Sequence, residues 1–217
     1  MKSLPEQTRH YRDTVNVLYL HGFRSSPQST KATMLRQSFA EAGACFVCPQ
    51  LPASPQAAVA LAESLIAERG DPARDWALIG SSLGGYYATW LAERCGARTV
   101  LLNPAIRPAD DLRPYLGAVT AWHSGETFLW RDAYLDELRA LAPGVLAKPE
   151  RYLLIAAKGD EVIDWRDMVT HYAGAHQIVL EGSDHALSDF AALIPAVIDF
   201  CLDGRFDGSF KPADARA

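Results

Sequence analysis

The chain has 217 residues, 49% of them hydrophobic, and a net charge of −5. That composition can bury one sizeable core and predicts a single domain over residues 1–217, while the negative balance argues against nucleic acid, whose binding needs a basic face, and gives no attraction to anionic membranes. No apolar run approaches the roughly 20 residues of a membrane span, and the polar opening MKSLPEQTRHYRD lacks a signal peptide's apolar core, so a soluble, cytoplasmic protein is expected.

Strand-like apolar runs alternate with helical patterns from there on. The first run, residues 15–20, ends at His21-Gly22 in LYLHGFRSSP, and residues 27–42 then place Leu35, Phe39 and Ala42 on one helical face. The second run, 44–48, holds Cys45 and Cys48. A redox C-x-x-C belongs at a helix N-terminus; in a strand the two side chains should face opposite sides, and no second pair exists to complete a zinc site. Two core cysteines is the reading, and in a reducing compartment none of the four, Cys95 and Cys201 included, need be bonded. Ser54-Pro55 offers a cap before a first-turn proline. Ala58, Ala62, Leu65 and Ile66 stripe the helix that follows, and Gly70 stops it.

The third run, 76–79, leads into GSSLGG, and a helix is predicted over 82–95, ending at Gly96. Gly80-Ser81-Ser82-Leu83-Gly84 fits G-x-S-x-G, a tight strand-to-helix turn that holds its central serine in strained backbone and pushes the hydroxyl out of the sheet. Gly80 and Gly84 remove side chains that would collide across it. The alternative is a plain turn whose serine caps the helix. Ser81, off the central position, is the weaker candidate.

After the run at 98–102 the rhythm breaks. Residues 106–149 read as an insertion over the active site, rich in proline and tryptophan and closing on an amphipathic helix. Trp122, Phe128 and Trp130 could line an acyl pocket, or simply anchor the insertion; Tyr86 and Tyr87, early on the preceding helix, carry the same two readings. His123 there suits a surface or substrate contact. The runs at 152–157 and 177–180 are followed by Asp160 and His185 respectively. Leu187, Phe190, Ile194, Val197, Ile198 and Cys201 then share a helical face, with Pro195 expected to kink it, and the polar tail 204–217 should fray. This alternation predicts an α/β fold with a mostly parallel, doubly wound sheet and helices on both faces.

In such a sheet, sites lie beyond the carboxyl ends of strands. A serine hydroxyl needs a base, and the base an orienting acid. Ser82, Asp160 and His185 follow three different strands in the order Ser–Asp–His. His171 and His176 flank the wrong end of the last strand, and His10 lies in the N-terminal tail. Glu161 should point away from its neighbour, Asp164 reads as a helix cap, and Asp184 as a loop carboxylate; the alternative for Asp160 is a turn residue after Gly159. The N–H groups of Phe23 and Leu83 are the expected oxyanion donors, with His21 and Gly22 shaping the loop. A role for His21 as a second base is the lesser alternative.

These stretches, LYLHGFRSSPQSTKA, GSSLGGYYATWLAE, LLNPAIRP, SGETF with LDELRAL, GDEVIDW and EGSDHALSDF, resemble the α/β-hydrolase superfamily and, more narrowly, the small bacterial esterases of the YqiA type. The tryptophan-bearing TAWHSGETFLW departs from the family pattern. The resemblance implies an α/β-hydrolase fold and a serine esterase with Ser82 as nucleophile, Asp160 as acid and His185 as base. It also implies action on small acyl esters and acyl-CoA thioesters without metal or organic cofactor. The sequence gives no reading of oligomeric state. Two alternatives stay open: a C–C bond hydrolase on the same three residues, and a non-catalytic module of this fold that binds a small molecule or protein.

Overall fold

The computed structural model describes residues 15–206 and Gly208; His10 and most of the expected tail lie outside that range. In chain order the elements are β1 (Asn16–Leu20), α1 (Thr30–Glu41), β2 (Cys45–Val47), α2 (Pro55–Ala67), a single turn α3 (Pro72–Asp75), β3 (Trp76–Ser81), α4 (Leu83–Cys95) and β4 (Arg98–Leu102). There follow α5 (Pro108–Asp111), β5 (Gly117–Thr120), β6 (Thr127–Trp130), α6 (Asp132–Ala140), β7 (Tyr152–Ala157), α7 (Trp165–His171), β8 (His176–Leu180) and α8 (Ile194–Asp203).

Six strands form one parallel sheet in the order β2-β1-β3-β4-β7-β8. The continuous apolar runs have the reason expected of them: β1, β3 and β7 are buried along their whole length because helices cover both faces. Leu18, Leu78, Leu101 and Leu154 pack with α2, α4 and α6 on one face, and Val17, Ile79, Val100 and Ile155 pack with α1 and α8 on the other. β1 lies between β2 and β3, so the winding reverses there. The loops leaving β1 and β3 therefore diverge and open a crevice at the carboxyl edge of the sheet.

Caps fix the helix starts. Ser29 accepts from the Ala32 N–H, and Ser54 accepts from the Ala57 N–H ahead of Pro55. Ser54 also donates to Glu137 of α6 at 2.6 Å, which ties the insertion to α2. The C-terminal helix departs from expectation. Leu187 has φ 51°, so no helix passes through it; a short 3₁₀ turn over Phe190–Leu193 precedes α8, and Pro195 sits in the first helical turn, where its missing N–H costs nothing, rather than at a kink.

Within the insertion, β5 and β6 pair antiparallel, with Gly117 opposite Trp130 and Val119 opposite Phe128, as a hairpin outside the main sheet. The sequence reading assigned no strands there. Cys48 packs on the Val17 face while Cys45 approaches Arg69 on the other side of β2. Cys45 begins the edge strand β2 and Cys48 follows its end; both are half-buried rather than in the core, and burial pushes the Cys48 thiol up to about 12. Among the described residues, no helix is long and apolar enough to cross a membrane.

Candidate active site

The turn after β3 is as tight as its glycines require. A Cβ on Gly84 would overlap the Leu20 carbonyl, and one on Gly80 would overlap the carbonyl of Gly84. Ser82 stands at the apex with φ 52° and ψ −121°, a conformation that costs a non-glycine residue about 1–3 kcal/mol. Its N–H donates to Leu102 O at 3.0 Å and its carbonyl accepts from Ala105 N–H at 3.0 Å, so β4 and its following loop hold the strain in place. Ser82 occupies the cap position of α4 but its side chain caps nothing. The hydroxyl instead lies 3.0 Å from Nε2 of His185.

His185 sits in the loop after β8, and its Nδ1 is 2.8 Å from Oδ2 of Asp160, in the loop after β7. The Asp160 side chain is fully buried. Its other oxygen accepts from the N–H groups of Val162 and Ile163 at 2.8 and 2.9 Å, so the carboxylate is held by backbone donors as well as by the ring. With Nδ1–H donating to the carboxylate, Nε2 is left to accept from the Ser82 hydroxyl, the arrangement in which an imidazole can take that proton.

Two further residues, not singled out from the sequence, hold this corner. Asn103, fully buried at the end of β4, donates through Nδ2 to the carbonyls of Asp184 and His185 at 3.0 and 3.2 Å, and its Oδ1 accepts from Ala157 N–H at 2.8 Å. It thereby fastens the histidine loop to β4 and β7. Its backbone is left-handed (φ 42°), a conformation that asparagine tolerates better than most residues. Glu161 does not turn away as expected: its Oε2 accepts from the His185 N–H at 3.0 Å. Asp164 caps α7 and Asp184 accepts from Ser188 N–H and Oγ–H. His171 ends α7, and His176 packs on Phe200 and Phe206, far from the serine turn.

Across the crevice runs the loop after β1. A Cβ on Gly22 would come within 3.2 Å of Ser82 Cβ, so glycine lets the two turns touch. His21 is buried, accepts from Leu51 N–H through Nε2 at 3.1 Å and contacts Gly22 O through Nδ1 at 3.0 Å. Both ring nitrogens are thus spent on backbone, which suits a loop-shaping residue rather than a second base; burial holds its imidazole below the ordinary histidine range. Among the described residues, the N–H groups of Phe23 and Leu83 have no intramolecular acceptor.

The pocket candidates separate. Trp122, 63% exposed, lines a cavity of about 520 Å³ together with Ser82, His185, Lys31 and His123. Phe128 and Trp130 line a different cavity of about 290 Å³, which shares Gly22, Phe23 and Ser25 with the first. Tyr86 touches neither: its hydroxyl donates to Leu138 O at 2.7 Å, anchoring α6. Tyr87 lines the smaller cavity. The hairpin is fastened to the β1 loop by Arg24, whose Nε donates to Thr120 O at 2.8 Å and whose carbonyl accepts from Trp122 N–H at 2.9 Å.

A family model described as "Uncharacterised protein family (UPF0227)" matches residues 16–202. Among solved structures, a putative hydrolase from Agrobacterium vitis S4 superposes with a TM-score of 0.70 at 20% identity, covering 87% of this chain and 88% of that one. Alpha/beta hydrolase domain-containing protein 10 from mouse gives 0.67 at 14%, covering 85% and 88%. Est1E from Butyrivibrio proteoclasticus, solved with ferulic acid bound, gives 0.64 at 16%, covering 87% and 88%. The fold is that of the α/β-hydrolases.

Proposed function

The chain belongs to the family UPF0227, on the α/β-hydrolase fold, and we propose that it is a serine hydrolase of carboxylic esters or thioesters. The observation that carries this reading is the continuous contact from Ser82 Oγ to His185 Nε2 (3.0 Å) and from His185 Nδ1 to Asp160 (2.8 Å) at the wall of a cavity. The putative hydrolase from Agrobacterium vitis S4, among the structural neighbours, supports it at the level of the fold.

In the proposed reaction Ser82 Oγ attacks the acyl carbon while its proton passes to His185 Nε2. Asp160 stabilises the imidazolium and keeps the ring in register. The carbonyl electron pair moves onto oxygen, which the unpaired N–H groups of Phe23 and Leu83 receive. As the tetrahedral intermediate collapses, the C–O or C–S bond breaks and His185 returns the proton to the leaving atom. Water then repeats the sequence on the acyl-enzyme, releasing the acid and restoring the serine.

The test is labelling and turnover together. A fluorophosphonate probe should mark Ser82, and Ser82→Ala should lose labelling and lower turnover of p-nitrophenyl butyrate by roughly a million-fold. Wild-type turnover in that variant would overturn the assignment. A panel of oxygen esters and CoA thioesters then separates the two substrate classes.

A further inference from the structure

The turn that carries His185 is closed on itself. The Leu187 N–H donates to Asp184 O at 3.0 Å, and Ser188 donates to the Asp184 carboxylate through both its N–H (2.9 Å) and its hydroxyl (2.6 Å). Ser183 and Leu187, with φ 66° and 51°, bracket the turn in left-handed backbone. Strain of that kind persists only where the surroundings over-determine it. A turn stitched internally moves as one body, so the imidazole is placed only as well as that body is fastened to the rest of the molecule. Asn103, at the end of β4, holds the Asp184 and His185 carbonyls, and Glu161, in the loop after β7, holds the His185 N–H.

A further polar hold comes from the helix that follows the β1 loop. Lys31, in the first turn of α1, bridges 155 positions of chain: its Nζ donates to Ala186 O, the carbonyl next after that of His185. Three consecutive carbonyls, at 184, 185 and 186, are thereby all occupied, two by Asn103 and one by Lys31. The Asp184 carboxylate favours the charged lysine against the burial that lowers its proton affinity. An ammonium on a carbonyl makes a charge-assisted bond, roughly twice as strong as a neutral one. The segment between β1 and α1 carries the Phe23 N–H, so this bond links the base to the part of the chain that holds a proposed oxyanion donor.

We propose that Lys31 is a positioning residue: by holding Ala186 O it sets the place of the His185 imidazole against Ser82. The consequence for turnover rests on the serine-hydrolase reading; the fastening of the turn does not. Ala186 adjoins the base, and proton transfer is sensitive to displacements well under 1 Å, so freeing its carbonyl acts on the chemical step. Lys31 also lines the larger cavity beside Ser82, which gives it a rival role as a contact for substrate. The two roles differ in what they do to KM.

The test compares Lys31→Met, which keeps the stem and removes the donor, with Lys31→Arg, which keeps a charged donor, both in the full-length protein. If Lys31→Met does not fold, Lys31→Gln, neutral and one atom shorter, takes its place. Amide hydrogen exchange read by mass spectrometry comes first. The peptide over 183–188, whose His185, Leu187 and Ser188 amides are hydrogen-bonded, should exchange about tenfold faster in Lys31→Met and near the wild-type rate in Lys31→Arg, with β3 and β7 unchanged. Unchanged exchange at 183–188 overturns the proposal, whatever the activity. With p-nitrophenyl butyrate, Lys31→Met should lower kcat about tenfold and leave KM within about twofold, and Lys31→Arg should recover most of the loss. A raised KM at wild-type kcat would make Lys31 a substrate contact and overturn the proposal, as would a Lys31→Arg enzyme as slow as Lys31→Met. A turn loosened by Lys31→Met in a protein whose wild type hydrolyses no ester would instead sink the hydrolase reading and leave the fastening standing.

Discussion

The Ser82–His185 corner and the turn of the β5–β6 hairpin border the same larger cavity, yet they are held in contrasting ways. At the corner nearly every polar group has a fixed partner: Asp160 accepts three donors, Asn103 joins three strand ends, and Glu161 pins the histidine's own N–H. The hairpin keeps open groups, with Trp122 and Leu129 largely exposed. The difference teaches where this molecule spends its rigidity. Proton transfer demands placement to within fractions of an ångström, whereas recognition needs groups still free to meet a ligand.

If that contrast is sound, corner substitutions should cost far more than hairpin ones. Asn103→Ala should be the most damaging, because it strands two carbonyls and one N–H in a buried setting: about 3 kcal/mol of stability by urea unfolding and roughly a hundredfold in kcat through misplacement of His185. Glu161→Ala should lower kcat about fivefold with little change in KM, while Glu161→Gln, which still offers an oxygen to the His185 N–H, should recover most of it. Equal losses in the two variants would assign the effect to charge rather than to support of the loop.

A third way to sharpen the comparison is pH. Burial, opposed by the Gly22 carbonyl, keeps the folded His21 imidazole from protonating until below the ordinary range. The unfolded chain takes up that proton near pH 6.5, so His21 contributes stability above that pH and loses it as pH falls. The urea midpoint should therefore drop between pH 7.5 and pH 5, and His21→Gln should narrow the gap; an unchanged gap would place the acid sensitivity elsewhere. The smallest effect is expected at the hairpin tip. Trp122→Ala should leave stability within about 0.5 kcal/mol and alter kcat/KM by only a few-fold, read on esters that differ in their leaving group. A large loss of stability there would dissolve the contrast between the two regions.

Much of the sheet could be read in advance because its signals are local. The runs at 98–102 and 152–157 coincide with β4 and β7, and the glycines of GSSLGG mark a turn whose steric reason is visible in the Leu20 and Gly84 carbonyls. What escaped is non-local. The contacts of Asn103 with Asp184 and His185 span about 80 positions, and nothing near Asn103 announces them. The hairpin escaped for another reason. Its strands are four residues long, and its inward side chains, Val119 and Trp130, are too few to establish a period of two. Leu187 misled because its apolar side chain suits a helical face while its backbone turns the other way.

The Arg24 fastening couples two events that enzymes often keep apart. Its side chain and its carbonyl both grip the hairpin, and the residue before it, Phe23, carries one of the N–H groups proposed to receive the oxyanion. Were the hairpin to swing outward to admit a bulky molecule, it would tug that amide out of alignment by the same motion. Admission and reactivity would then be geared to one another, so that an open gate is also an idle one and hydrolysis waits for closure.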